Sequence, residues 1–140
     1  MRDLDISIQD LIGKPFVDGG RGPAGYDCYG LVMEVMRRYG IVIPDYGCSC
    51  LDRHDPAAIA AACAAAGPHW KQIPTPEPGC LVAIAYPYPG LISHVGVVIA
   101  ADQFIHTRAA TGGVTIDRLS SPAWRKRIRG YWRYVGEAVD

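Results

Sequence analysis

The sequence has no excess of either charge. Fourteen Lys and Arg balance fourteen Asp and Glu across 140 residues, so the electrostatic signature of a nucleic-acid or anionic-lipid partner is missing. The one basic cluster, Arg125-Lys126-Arg127 with Arg129 and Arg133, is broken by aromatics and reads as a solvated face. No apolar run approaches the ~20 residues needed to span a bilayer, which argues against membrane insertion. The stretch Met1-Arg2-Asp3-Leu4-Asp5 places acids where a signal peptide carries basic residues and then an apolar core. The expectation is a chain that is cytoplasmic when synthesised and reaches the outside only by lysis or inside a larger assembly. Cysteine is present in an odd count, five, which argues against a complete disulfide framework. Cys48-Ser49-Cys50 is too tightly spaced for a zinc knuckle and has no second Cys-x-x-Cys pair. No cofactor is expected, and no internal repeat is visible.

What is present fits one domain, residues 1–140. Ser7 to Ile12 predicts a short helix with Ser7 as cap, Asp10 at the capping-box position and Gly13 at its end, followed by a loop rich in glycine and proline. Leu31, Val32, Val35, Met36 and Tyr39 recur at helical spacing, with Asp27 placed to cap the helix and Gly40 to end it. Asp55-Pro56 opens a third predicted helix over 57–66, and Pro74, Pro76 and Pro78 form an extended connector. Beyond it the texture is strand-like in five runs: 81–85, 94–100, 103–107, 114–117 and 130–135. Ser121-Pro122 starts a short basic helical turn before the last of them. Helices first and strands later predict an α+β fold, an antiparallel sheet packed against the helix that begins at Cys28.

Few residues here can carry chemistry. Cys28 falls in the first turn of its helix, where the dipole lowers a thiol pKa from ~8.5. His94 lies in a strand-like run and has the properties of a base for that thiol. On an alternating strand His94, Gly96 and Val98 share a face, and Gly96 leaves open space beside the imidazole. His106 follows across the Ala101-Asp102 turn, where antiparallel pairing sets the two imidazoles side by side and lets the second orient the first. The backbone N–H of Cys28 is a natural oxyanion donor. Two other uses of the same atoms stay open: a buried structural thiol with ordinary strand histidines, and a Cys28/His94/His106 zinc site. His54 and His69 read as surface residues, and Cys63 and Cys80 as structural ones.

The pieces Asp27-Cys28-Tyr29-Gly30-Leu31-Val32, Gly40 to Pro44, Pro78-Gly79-Cys80-Leu81-Val82, His94-Val95-Gly96-Val97-Val98 and Phe104-Ile105-His106-Thr107 together resemble the NlpC/P60 family of cell-wall cysteine peptidases. The resemblance covers nearly the whole chain. It implies a papain-like NlpC/P60 fold, with N-terminal helices packed on a C-terminal antiparallel sheet. It also implies hydrolysis of peptidoglycan stem-peptide amides, typically between D-γ-glutamate and a diamino acid. The nucleophile, base and orienting residue then fall on Cys28, His94 and His106. Asp27, Tyr29, Tyr26 and Phe16 fall at substrate-binding positions.

Three positions depart from the family pattern. Tyr29 replaces the serine that in many relatives helps the preceding aspartate hold a substrate amine, a bulky ring at a position that bears on the common stem-peptide specificity. Phe16 replaces a tyrosine whose hydroxyl lies near the oxyanion, with Tyr26 as the nearby substitute. Cys80 replaces the aspartate of Gly-Asp-Leu-Val. The aromatic after the cysteine and the terminal Trp124 to Tyr134 segment look like the phage-tail branch. That branch implies tail-tip proteins of a phage or gene-transfer particle as partners, and a virion tail acting in the host wall as location. Two alternatives accompany this expectation: an inactive tail-tip assembly component that retains the hydrolase fold, and an acyltransferase using the same thioester chemistry.

Overall fold

The computed structural model describes residues 6–45, 67–86, 90 and 92–136. Its helix α1 (Cys28–Arg38) is followed by strands β1 (Trp70–Ile73), β2 (Leu81–Ala85), β3 (Ile92–Ala100), β4 (Gln103–Arg108), β5 (Gly113–Arg118) and β6 (Ile128–Tyr134). The six strands form one sheet in the order β1-β6-β2-β3-β4-β5, antiparallel at every pairing.

Helix α1 begins where Asp27 accepts a hydrogen bond from the Gly30 backbone at 2.7 Å, satisfying one of the orphan donors of the first turn. It ends in a Schellman motif. Gly40, at φ +85°, donates to the Arg37 carbonyl and Ile41 donates to the Met36 carbonyl, each at 2.9 Å. Between these caps Leu31, Val32, Val35 and Met36 are fully buried, and each such side chain is worth about 1.5–3 kcal/mol of transfer free energy. They pack on the sheet face carrying Leu81, Ala83, Val95, Val97 and Ile105. The strand residues between those build the opposite face, where Val82, Ile84, Val98 and Phe104 cluster with Leu119 and Trp124. Both faces are therefore apolar, and β2 is buried along its whole length. The turn before β6 is helical in character, with Trp124 and Arg125 both donating to the Ser121 carbonyl.

Three expectations need revision. The helix predicted over Ser7–Ile12 is a single 3₁₀ turn, Gln9–Leu11, with no side-chain cap. Asp10, placed to complete a capping box, instead receives two bonds from the Arg38 guanidinium at 2.6 and 2.9 Å, and Arg38 also holds the Ser7 carbonyl. Strand β1, unpredicted, exists because it pairs with β6 from Trp70↔Tyr134 to Ile73↔Tyr131. Gly96 opens no cleft: a Cβ there would lie 2.8 Å from the Ile105 carbonyl and 3.1 Å from the His106 Cβ, so its missing side chain is what lets β4 and the His106 ring close in. The helix predicted over 57–66, together with His54, Cys48, Cys50 and Cys63, lies outside the described residues.

Candidate active site

Strands β3, β4 and β5 run side by side, and alternation within each strand, with Val98 paired to Phe104 and Phe104 paired to Asp117, puts His94, His106 and Asp117 on the face of Val98 and Phe104. The result is a chain of two hydrogen bonds. His94 Nε2 meets His106 Nδ1 at 2.8 Å, and His106 Nε2 meets an Asp117 carboxylate oxygen at 2.7 Å. Both rings are buried, while Asp117 keeps about a third of its side chain in solvent.

These contacts assign the protons. The carboxylate accepts, so His106 Nε2 carries the hydrogen and donates it. A neutral His106 then has a bare Nδ1, which accepts from a protonated His94 Nε2. The one remaining nitrogen, Nδ1 of His94, is left with its lone pair. It is buried and has no hydrogen-bond partner among the described residues. The rings are neutral because burial lowers the pKa of both. His94 is pushed well below the ordinary imidazole value first by burial, then by the repulsion that a protonated His106 would exert and by the Arg108 charge. For His106, burial outweighs the hydrogen bond and charge of Asp117, which pull the other way. Asp117 thereby sets the tautomer of two rings and presents a base at the inner end of the relay.

Aromatic packing holds the rings in place. Trp124 stacks on His94 at 5.9 Å and meets His106 edge-on at 4.9 Å. Phe104 lies 4.4 Å from His106 and Tyr86 5.8 Å from His94, centroid to centroid. The Arg108 guanidinium covers Tyr86 at 4.9 Å and Trp124 at 5.0 Å, and donates to the Tyr86 hydroxyl at 2.7 Å.

Cys28 is the first residue of α1 and is fully buried in the cluster that joins the helix to Val95 and Val97. No hydrogen bond connects it to Nδ1 of His94. The structure thus brings His94 and His106 together and adds Asp117 and Trp124. Among the described residues no three His, Cys, Asp or Glu side chains are grouped to hold a metal ion.

The four candidate substrate-binding residues surround the start of α1. Phe16 and Tyr26 form a parallel bridge, with Phe16 half-buried and Tyr26 buried. Burial raises the Tyr26 phenol above its usual pKa. Asp27 is fully buried, and one carboxylate oxygen takes both the Gly30 N–H and an Arg21 N–H at 2.8 Å. Its second oxygen has no partner among the described residues, and burial raises the carboxyl pKa despite the Arg21 charge. Arg21 also grips Asp45 through two bonds at 2.8 and 3.2 Å. Tyr29 is buried, and its hydroxyl donates to the Pro44 carbonyl at 2.6 Å. The hydroxyl thus ties the start of α1 to the segment that follows the helix. Cys80 is buried on the β2 side, and its thiol is pushed up to about 11 by burial.

Residues 13–133 match the model of the NlpC/P60 family. The chain is 30% identical over 122 residues to a probable endopeptidase p60 of Listeria grayi, covering 87% of this chain and 20% of that protein. It is 28% identical over 124 residues to the probable peptidoglycan endopeptidase LytE of Bacillus subtilis, covering 89% of this chain and 31% of that protein. The chain thus spans a fifth to a third of the length of these curated relatives. Among solved structures, an NLP/P60-family protein described as similar to lipoprotein from Staphylococcus aureus superposes with a TM-score of 0.63 at 21% identity, covering 93% of this chain and 39% of that one. The peptidoglycan hydrolase RipB of Mycobacterium tuberculosis superposes at 0.55 with 17% identity, covering 91% and 60%. At these identities the structural likeness establishes the fold.

Proposed function

The chain belongs to the NlpC/P60 family, and from that premise we propose that it is a cysteine endopeptidase hydrolysing peptide amide bonds of peptidoglycan. The observation that carries this reading is the buried, unpartnered Nδ1 of His94, a nitrogen held as a base by two further residues. Cys28 is the nucleophile. Its Sγ proton passes to His94 Nδ1, and the thiolate attacks the substrate carbonyl. The tetrahedral adduct collapses with cleavage of the C–N bond, and the leaving amine takes the proton back from Nδ1. Water, deprotonated by the same nitrogen, then hydrolyses the thioester and restores the thiol. The positive charge that forms on His94 is shared along the relay toward Asp117. Thiol and imidazole tighten into contact when substrate binds, as catalytic hydrogen bonds do between free and substrate-bound enzymes. Asp27, Tyr29, Tyr26 and Phe16 line the approach to Cys28.

For the carrier the proposal is the tail tip of a phage or gene-transfer particle, with other tail proteins as partners. The protein is then made in the cytoplasm and delivered to the wall from outside. Tyr29 beside the nucleophile and the aromatic segment Trp124 to Tyr134 support this, and recovery of the chain with purified tails tests it.

A second reading has its own observation: Cys28 is fully buried and makes no hydrogen bond to the base. That geometry suits an assembly component that keeps the hydrolase fold without turnover. Two measurements separate the readings. Cys28→Ala abolishes peptide release from purified walls if the chain is a peptidase, while circular dichroism stays unchanged. Iodoacetamide at pH 6 labels Cys28 and spares Cys80 if the thiol is activated. An unlabelled Cys28 together with unchanged wall release would overturn the peptidase.

A further inference from the structure

A cavity of about 480 Å³ opens at the outer end of the histidine relay, lined by Arg108, Thr115, Asp117, Trp124 and the glycines of the β4–β5 connection. Its wall carries one cation, one carboxylate and one indole. Asp117 uses one oxygen on His106 and keeps about a third of its side chain in solvent. Arg108 is held over Tyr86 and Trp124, so its guanidinium is fixed at the wall. At Gly13 and Gly112 an added Cβ would meet nothing within 4 Å, whereas at Gly113 it would lie 2.5 Å from the Lys14 carbonyl, so the glycine-lined side is open at the first two and closed by backbone at the third.

We infer that this cavity binds a zwitterionic amino-acid terminus, with the ammonium on Asp117, the carboxylate on Arg108 and the aliphatic part against Trp124. The charge pair on the wall decides the class. A simple cation would face Arg108, and a simple anion would face Asp117, so either charge alone gains one attraction and suffers one repulsion. A ligand carrying both satisfies both, and guanidinium–carboxylate and ammonium–carboxylate contacts are the stronger, charge-assisted kind of hydrogen bond. The volume exceeds that of one free amino acid and leaves room for a side chain or a second residue. Under the proposed function such a group occurs at the free end of a diamino acid in a stem peptide. The binding itself does not depend on turnover.

Trp124 lines the cavity and reports occupancy, so the test is titration of the intact chain by tryptophan fluorescence and calorimetry. Norleucine, N-acetylnorleucine and norleucinamide, each in D and L forms, present both charges, the carboxylate alone and the ammonium alone. Norleucine of one hand should bind about tenfold or more tightly than either blocked form. Thr115→Tyr, which fills the cavity from β5, and Ala123→Trp, which crowds it from its exposed rim, should each abolish that binding while the fold, checked by circular dichroism, is kept. Binding of all three probes alike, binding of none, or binding that survives Ala123→Trp would overturn the assignment. A chain that binds norleucine but releases nothing from walls would overturn the peptidase and leave the site standing.

Discussion

Asp117→Asn isolates what the relay does. In the wild-type chain the carboxylate accepts from His106 Nε2 at 2.7 Å, and that single contact orders the protons of both rings. An amide removes the charge, and it can also turn its NH₂ toward His106. That turn forces the hydrogen onto His106 Nδ1, makes His94 Nε2 the acceptor and puts a proton on His94 Nδ1, where the base has to be. The two effects differ in size. Asp117 is partly solvated, so losing its charge removes about 1.5–3 kcal/mol of charge-assisted bonding at most, or roughly 10- to 150-fold in rate. Reversing both tautomers disables the base and takes the loss to about 10³- to 10⁴-fold. The assays are the rate of peptide release from purified walls and ¹⁵N NMR of the imidazole nitrogens, which reads the tautomer directly. A variant that keeps its rate within about threefold, with His94 still protonated on Nε2, would refute the reasoning.

Folding stability should fall on acidification. Both buried histidines have folded pKa values below 6.5, so below about pH 6.5 the unfolded chain binds protons that the native chain refuses, and the melting temperature drops. His106→Gln should flatten that slope in a pH series of thermal melts; an unchanged slope would contradict the burial of the pair. Gly30→Ala should cost about 2 kcal/mol or more in urea unfolding, because the added Cβ would sit 2.0 Å from the Gly20 carbonyl and this outweighs the helix-propensity gain. Tyr29→Phe should cost about 0.5–1.5 kcal/mol, the worth of the bond to Pro44. It should leave wall hydrolysis within about twofold if the hydroxyl only fastens that segment, and a large rate loss would assign the hydroxyl to substrate instead.

The sequence was most legible where one rule acts at a time. The cap at Asp27, the apolar stripe of α1 and the glycine stop at Gly40 each follow from spacing along one element, and all appear as read. The meeting of His94 and His106 followed from counting across one turn. Asp117 escaped because it needs a second count, through the Gly112-Gly113 connection, in a register where Phe104 faces Asp117 and His106 faces Thr115. Parity alone does not find it: 94 and 106 are both even, and the β4–β5 pairing sets even residues of β4 against odd residues of β5, so Asp117 joins their face only through that register. Trp124 was hidden for another reason, since nothing local says that a turn after β5 folds back over β3 and β4. Strand β1 has four residues with two exposed in its middle, and only pairing with β6 makes it a strand. The failed capping box near Ser7 is the converse case, in which a long-range arginine took the carboxylate a local rule had reserved.

The relay also has a direction. Its outer end is a carboxylate in contact with solvent and its inner end is a nitrogen sealed among aromatic rings. Each donor points outward, His94 Nε2 to His106 and His106 Nε2 to Asp117, so shifting each hydrogen one bond along carries a proton from a charged His94 to the carboxylate at the surface. The buried ring thus discharges toward bulk water through its neighbour, without itself meeting the solvent on that side. Loss of the outer carboxylate would remove the acceptor on which that path ends.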